Sequence, residues 1–434
     1  LCREAWSAIS SVDPEERPAV RVLRRLASLV HPKGPVVGRV TRPFARFLEL
    51  EAASGIMLLG ATVIAVAWAN SPWSSSYGHL LHLTALPLPG VELDVHGAVD
   101  DALMALFFFV VGLEIRREVV AGELRDRRTA ALPVVAAIGG MVVPALVYVA
   151  VNAGHPGSSG WGIPMATDIA FAVGVASLLG RRVPTSLTVF LLTAAVVDDL
   201  GAIAVIAVFY TDSVRPVWLA GAAASLVGLW LIGRRGWWSP AVFAVVGAFV
   251  WYATLRSGLH ATLAGVALAM VVPRAGAEPV ADRVEERWHP WTSYVVIPVF
   301  ALANAGVALG GDAVSDALSS RVTWGVIAGL VVGKVVGVAG AGSLAIRLGV
   351  GRRPAGTNGL HLLGVGIVAG LGFTMSIFVT LLAFDSPQLV DESKIGVFGA
   401  SIVAAALGLT TLWFAAQRAT PRSPELGPAS ASST

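Results

Sequence analysis

Charge is what this chain has least of. Only 14% of its 434 residues are Asp, Glu, Lys or Arg, where a soluble domain carries roughly 25%. Hydrophobic residues make up 55%, and mean hydropathy is +0.73. Those figures exclude intrinsic disorder and a single soluble globular domain. Cysteine is nearly absent: the one residue, Cys2, lies in a polar N-terminal arm, so no intrachain disulfide is available. The 47 glycines and 24 prolines follow no collagen-like period and sit inside apolar runs. The first 47 residues contain no apolar core of signal-peptide length, so no cleaved secretion signal is expected. A net charge of +3 gives little reason to invoke nucleic acid, because the basic residues fall in short runs between apolar segments.

What the chain does contain is long apolar stretches. Twelve are read at approximately 48–69, 98–116, 131–151, 162–179, 186–210, 216–233, 239–255, 258–272, 291–309, 322–346, 358–383 and 395–417, the fourth and eighth short or interrupted. A helix needs roughly 20 residues to cross the hydrocarbon layer. Because lipid offers no hydrogen-bond partners, helices are the expected spanning form. The predicted fold is an all-α polytopic membrane protein: a basic arm over 1–47, a twelve-helix membrane domain over 48–417, and a polar tail over 418–434. Alternating the segments puts 26 of the 31 Lys and Arg on one side and four, Arg215, Arg256, Arg321 and Lys394, in the outside connections, leaving Lys334 in mid-segment. Positive residues stay inside, so both termini are expected in the cytoplasm. Between the first two segments, "LTALPLPGVELDVHG" alternates around Pro-Gly, which suits a small outside β-hairpin or an irregular loop.

An ionisable side chain at bilayer depth is costly, so the exceptions carry the information. Asp168 lies in "GIPMATDIAFAVG", Asp198 and Asp199 in "LLTAAVVDDLGAIAVIAVF", and Lys334 in "GLVVGKVVGVAG". Adjacent aspartates on a helix point about 100° apart, so the two cannot play the same part. Lys334 is the natural ion-pair partner for one acid. A buried carboxylate is a hard oxygen ligand for a small cation and also a proton acceptor. A site that holds either a proton or a cation, but not both, is the physical basis of exchange. Simple charge pairing that fixes helix packing is the competing structural reading. Asp100 and Asp101, near the outer end of the second segment, would either cap that helix or belong to the transport path.

The backbone points the same way. Gly160, Gly162 and Pro164 precede Thr167 and Asp168, and Gly364, Gly366, Gly370 and Gly372 crowd the eleventh segment. Such residues allow a helix to break where its freed carbonyls and amides line a cavity. Paired interruptions in the two halves are a mark of transporters built from inverted repeats.

Across roughly residues 48–417 the sequence resembles the NhaA-type sodium/proton antiporters of bacteria. The resemblance is carried by "DDALMALFFFVVGLEIRRE", "MATDIAFAVGVASLLG", "VVDDLGAIAVIAVFY", "SGLHATLAG", "HPWTSYVVIPVFALANAGV", "VVGKVVG" and "GLGFTMSIF". It implies twelve helices with inverted-topology repeats, the fourth and eleventh discontinuous and crossing, supported by Gly162, Pro164, Gly370 and Gly372. It implies Na+ at Asp199 and Asp168, with Thr167 beside them and Asp198 paired with Lys334. Exchange of Na+ or Li+ for H+, two protons per cation, is similarly implied, as is a homodimer in the bacterial inner membrane. No enzyme activity or cofactor is expected. The resemblance also implies pH regulation at the inner mouth, where Glu114, Glu118, Glu285 and His289 match the pattern. Glu286 stands where that pattern has histidine. His260 would be an outer pH-sensing or interface residue, or a hydrogen-bonded histidine at a helix end.

Two other functions compete. A sodium-coupled symporter would need a polar cluster for an organic solute, for which Asn304 and Ser376 are the candidates. An intramembrane aspartyl protease would want two facing aspartates, commonly one in a Gly-x-Gly-Asp context, whereas this chain has Asp-Asp-Leu-Gly.

Overall fold

The computed structural model describes residues 38–211, 214–273 and 279–418, with side chains from residue 53 onward except that of Arg181. Most of the basic arm and nearly all of the polar tail therefore lie outside the described residues. Among those described, six helices are long and apolar enough to cross a membrane: Arg127–Asn152, Thr185–Phe209, Pro216–Arg234, Pro240–Ser257, Arg321–Arg347 and Pro387–Gln417. Two pairs qualify only when joined, Ala53–Ala69 with Ser74–Leu81, bent by 115°, and Gly359–Val368 with Phe373–Ala383, bent by 46°. Six to eight spans by length and composition thus stand where twelve apolar segments were read. The eighth segment is the shortfall at its plainest. Its helix, Thr262–Val271, has 10 residues and reaches about 15 Å, half the hydrocarbon thickness.

The connection after the first helix, Gly38–Ala69, forms the hairpin. Strands Thr84–Leu88 and Val91–Asp94 pair antiparallel around Pro89 and Gly90, with a register shift between Thr84 and Leu86. Gly90 has φ 73°, a conformation that side chains with a Cβ resist, and a Cβ there would run into the Arg256 guanidinium. The hairpin tip is pinned to its own chain. Tyr252 Oη donates to the Pro89 carbonyl at 2.6 Å and Arg256 Nη1 to the Gly90 carbonyl at 2.6 Å. Arg256 also lies over the Trp218 ring, 5.4 Å from its centroid.

At the centre of the molecule helix is lost in two places. Pro156–Met165 winds as a tight 3-10 helix, 166–168 run extended, and an α-helix resumes at Ile169–Ser177. Gly359–Val368 stops before 369–372, and helix resumes at Phe373–Ala383. The second break packs tightly against Arg321–Arg347, since a Cβ on Gly370 would collide with the Leu330 carbonyl oxygen. The two stretches touch, the Asp168 N–H donating to the Leu371 carbonyl at 2.7 Å. Against them runs Arg321–Arg347, whose turns widen at Gly329–Gly333 and Val335–Gly340, on either side of Lys334. Wide turns of this kind shift a side chain out of regular helical register and recur at functional sites.

Candidate functional site: a buried Asp–Asp–Lys cluster

Thr185–Phe209 is apolar on all sides, so it is buried on most of its circumference and brings Asp198 and Asp199 inside with it. Asp168, Asp198, Asp199 and Lys334 are each no more than 3% exposed. Lys334 Nζ stands 2.5 Å from Asp198 Oδ2 and donates to Thr167 Oγ1 at 2.9 Å. Thr167 Oγ1 is 2.6 Å from Asp198 Oδ2 and 2.9 Å from the Ala369 carbonyl. A hydroxyl has one proton, so it serves one of these acceptors at a time. Thr167 therefore belongs to the Asp198–Lys334 pair and ties it to the backbone of the 369–372 break.

The other two acids are held differently. Asp168 accepts from Phe171 N–H through Oδ1 at 3.0 Å, capping its own helix. Its Oδ2 accepts from Thr374 N–H at 3.1 Å and Thr374 Oγ1 at 2.5 Å, at the start of Phe373–Ala383. One carboxylate thus faces two positive helix ends. Asp199 has no such clamp. It interacts electrostatically with Asp198, Glu114, Asp168 and Lys334, and its Oδ1, like Asp198 Oδ1, is buried without a hydrogen-bond partner. Orphaned buried carboxylate oxygens are rare in folded proteins because they forfeit their hydration.

Gly162 and Pro164 are buried close by, and a residue absent from the sequence argument joins them. Tyr210, at the end of the Thr185–Phe209 helix, donates from Oη to the Ser159 carbonyl at 2.8 Å and accepts from Gly162 N–H at 3.1 Å. Its ring stacks on Trp161. Its carbonyl accepts from His260 Nε2, which ties His260 to the helix bearing the acid pair. The available signal was an aromatic with a polar tip closing an apolar run, a residue that needs a partner when buried.

Of the expected inner residues, Arg117 collects the acids. Its Nη1 donates to Glu285 Oε1 at 2.5 Å, and its Nη2 lies 4.0 Å from Glu114 and 3.9 Å from Glu118. Glu285 sits on the polar helix Val280–Trp291 ahead of the ninth apolar segment. Burial pushes its carboxyl up from 4.5 to about 7, with Arg117 pulling the other way. His289 lies near enough to Glu285 to interact with it, whereas Glu286 points outward and is exposed.

Two expectations are corrected. Asp100 and Asp101 do not cap the second helix. Asp94 does so, accepting from Gly97 N–H, while both acids sit in the widened turn Ala98–Leu103 and form no side-chain cap. Asp100 Oδ1 instead accepts from Asn304 Nδ2 at 2.6 Å. Nor is Lys334 the only cation buried among apolar helices. Lys394, read from sequence as an outside charge, lies within Pro387–Gln417 and is 7% exposed.

Comparison with known proteins gives the family. The sequence profile of the family described as Na+/H+ antiporter 1 matches residues 45–412. The chain is similar to the "Na(+)/H(+) antiporter NhaA 2" of Pseudomonas syringae pv. syringae, 47% identical over 379 residues that cover 86% of this chain and 95% of that protein. It is 42% identical over 417 residues to the protein of the same name from Sorangium cellulosum, covering 85% and 89% respectively. With the "Na(+)/H(+) antiporter NhaA" of Nitrobacter hamburgensis it shares 46% identity over 377 residues, 85% of this chain and 91% of that protein. The mostly helical fold with its apolar spans and the match over most of its length agree, and the chain belongs to the NhaA-type Na+/H+ antiporters, membrane transporters and not enzymes.

Proposed function

We propose that this protein exchanges cytoplasmic Na+ or Li+ for external H+ in a bacterial inner membrane, with Asp199 as the shared carboxylate. The observation that carries this reading is the pair of adjacent buried carboxylates in unequal settings. Asp198 keeps one oxygen without a partner but is engaged through the other by Lys334 and Thr167, whereas Asp199 has no such pairing and also keeps an oxygen without a partner. A partly dehydrated cation or a proton satisfies that oxygen, and each excludes the other. Asp168 lies at hand to help hold the cation, once one of its helix-capping contacts is released. On the proton-poor side Asp199 gives up its proton and the cation takes its place. A second proton comes from the Asp198–Lys334 pair or from Asp168, so that two protons cross per cation.

The rest of the proposal follows the same lines. The fourth and eleventh of twelve segments are taken as broken, crossing spans related by inverted repeats, for which the contact between Asp168 and Leu371 is the support. Rocking of one bundle against the other then exposes the site to alternate sides. The Arg117–Glu285 cluster and His260 are read as pH-responsive elements, both termini as cytoplasmic, and the protein as a homodimer meeting through the hairpin. The test is collapse of a pH gradient in proteoliposomes on adding Na+, Li+ or K+. Wild type is expected to respond to Na+ and Li+, and Asp199→Asn to respond to neither. A response that survives Asp199→Asn would move the site elsewhere. Silence in wild type at acid, neutral and alkaline pH alike would end the exchange reading.

A further inference from the structure

A second buried polar group lies away from the Asp199 cluster, where the hairpin leads into the second apolar segment. Asp100 Oδ1 accepts from Asn304 Nδ2 at 2.6 Å, and Asp100 Oδ2 is 3.5 Å from His96 Nδ1. Asn304 ends the helix Ile297–Asn304 and is fully buried. Its amide nitrogen also donates to the Phe300 carbonyl at 3.1 Å, which uses both of its protons. Its Oδ1 is buried with no hydrogen-bond partner. An unsatisfied amide oxygen therefore stands beside a carboxylate. Asp101 is next to Asp100 and interacts with it, its backbone carbonyl already taken by Trp251 Nε1. From a third helix comes Lys394, whose electrostatic partners are Asp391 on its own helix and Asp100.

We propose that Asp100 and Asn304 Oδ1 form a hairpin-side way station for a small, hard monovalent cation, and that Lys394 is the tethered charge that stops the ion from being held there. The donor set is a carboxylate and an amide oxygen, which suit Na+ or Li+ and not a soft metal. Two protein oxygens leave most of the hydration shell in place, so occupancy is brief, as flux through a multi-site path requires. The Lys394 ammonium is a fixed positive charge within reach of Asp100, and it repels an arriving cation. Because Lys394 rides on Pro387–Gln417 while Asp100 precedes the helix Met104–Val120, any relative motion of the two changes that repulsion. The inference rests on the Na+/H+ exchange reading above, but not on which way the hairpin faces.

The experiment uses the full chain in proteoliposomes and measures the Na+ dependence of exchange from each face separately. The hairpin face is identified by labelling a cysteine placed at exposed Thr84 in a Cys2→Ser background. Lys394→Gln is expected to lower the half-saturating Na+ at the hairpin face by about three- to tenfold, the size of one screened charge interaction, and to leave the other face unchanged. Asp100→Asn should raise it by a similar factor, and the double variant should return toward wild type, because the lost attraction and the lost repulsion offset each other. Lys394→Arg keeps the charge and should stay near wild type, which separates the electrostatic role from a packing role. No shift at the hairpin face in Lys394→Gln, or an equal shift at both faces, would overturn the way station while leaving exchange at Asp199 intact. Wild type without Na+-dependent exchange at either face would overturn the exchange reading and the way station together.

Discussion

Two close acid–base contacts among the described residues have the same separation and opposite surroundings. Lys334 meets Asp198 at 2.5 Å with side chains 1% and 4% exposed, and Arg117 meets Glu285 at 2.5 Å with side chains 40% and 5% exposed. The first pair is enclosed by apolar helices, and the carboxylate next in sequence keeps an unpartnered oxygen. The second has one partner open to solvent and two further acids, Glu114 and Glu118, around the same arginine. Distance alone therefore says little about what an ion pair does. Enclosure makes the charge of the first pair hard to carry unless something compensates it, which is the condition for coupling it to an ion. Partial exposure lets the second exchange protons with water, the condition for sensing pH.

Breaking each pair tests that contrast. Lys334→Met should have the largest effect, leaving Asp198 uncompensated inside the bundle at a cost of about 3–5 kcal/mol. The readout is thermal stability in detergent, together with lost exchange. Arg117→Met should cost less, because Glu285, left without its arginine, can take up a proton from the water that reaches this cluster. Equal losses in the two variants would show that enclosure is not the difference.

Thr167→Val comes next in size. It removes the hydroxyl that links Lys334, Asp198 and the Ala369 carbonyl, and a hydrogen bond to a charged group is worth about 2 kcal/mol. Thermal stability should fall by that order, and a change indistinguishable from zero would mean that Lys334 and Asp198 hold each other without help. The smallest effect is a slope. With Glu285 raised from 4.5 to about 7, the native state binds more protons than the unfolded state across that interval. Stability should therefore fall as pH rises through it. Glu285→Gln removes this contribution and should flatten the pH dependence, a difference read by melting in buffers spanning about pH 4 to 8. An unchanged slope would assign the titration to another group.

Much of the architecture was legible in the residues. Six to eight of the twelve apolar segments were, because spans in lipid must be both apolar and helical. So was the hairpin, because Pro89–Gly90 supplies the turn and the flanking residues alternate. The acids and Lys334 stood out because charges there are expensive. Other features were out of reach. Helix geometry alone does not reveal which of two aspartates 100° apart faces Lys334, 136 positions away from Asp198, and only the family resemblance pointed to Asp198. Local rules also misled. Asp100 and Asp101 looked like caps, but Asp94 had already taken that position, and the partner of Asp100 is Asn304, 204 positions away. Lys394 looked like a loop charge because acidic and polar residues precede it, yet the helix begins at Pro387 and carries it inside.

By itself the sequence determined that this is a helical membrane protein with a few buried charges, since composition and periodicity act locally along the chain and answer to the solvent. Through its motifs it also determined the family. Only the tertiary structure decided which charge meets which. It put Lys334 and Thr167 on Asp198, two helix ends on Asp168, and an unpartnered oxygen on Asp199. Those pairings depend on where separate helices stop and cross, as where the Asp168 N–H meets the Leu371 carbonyl.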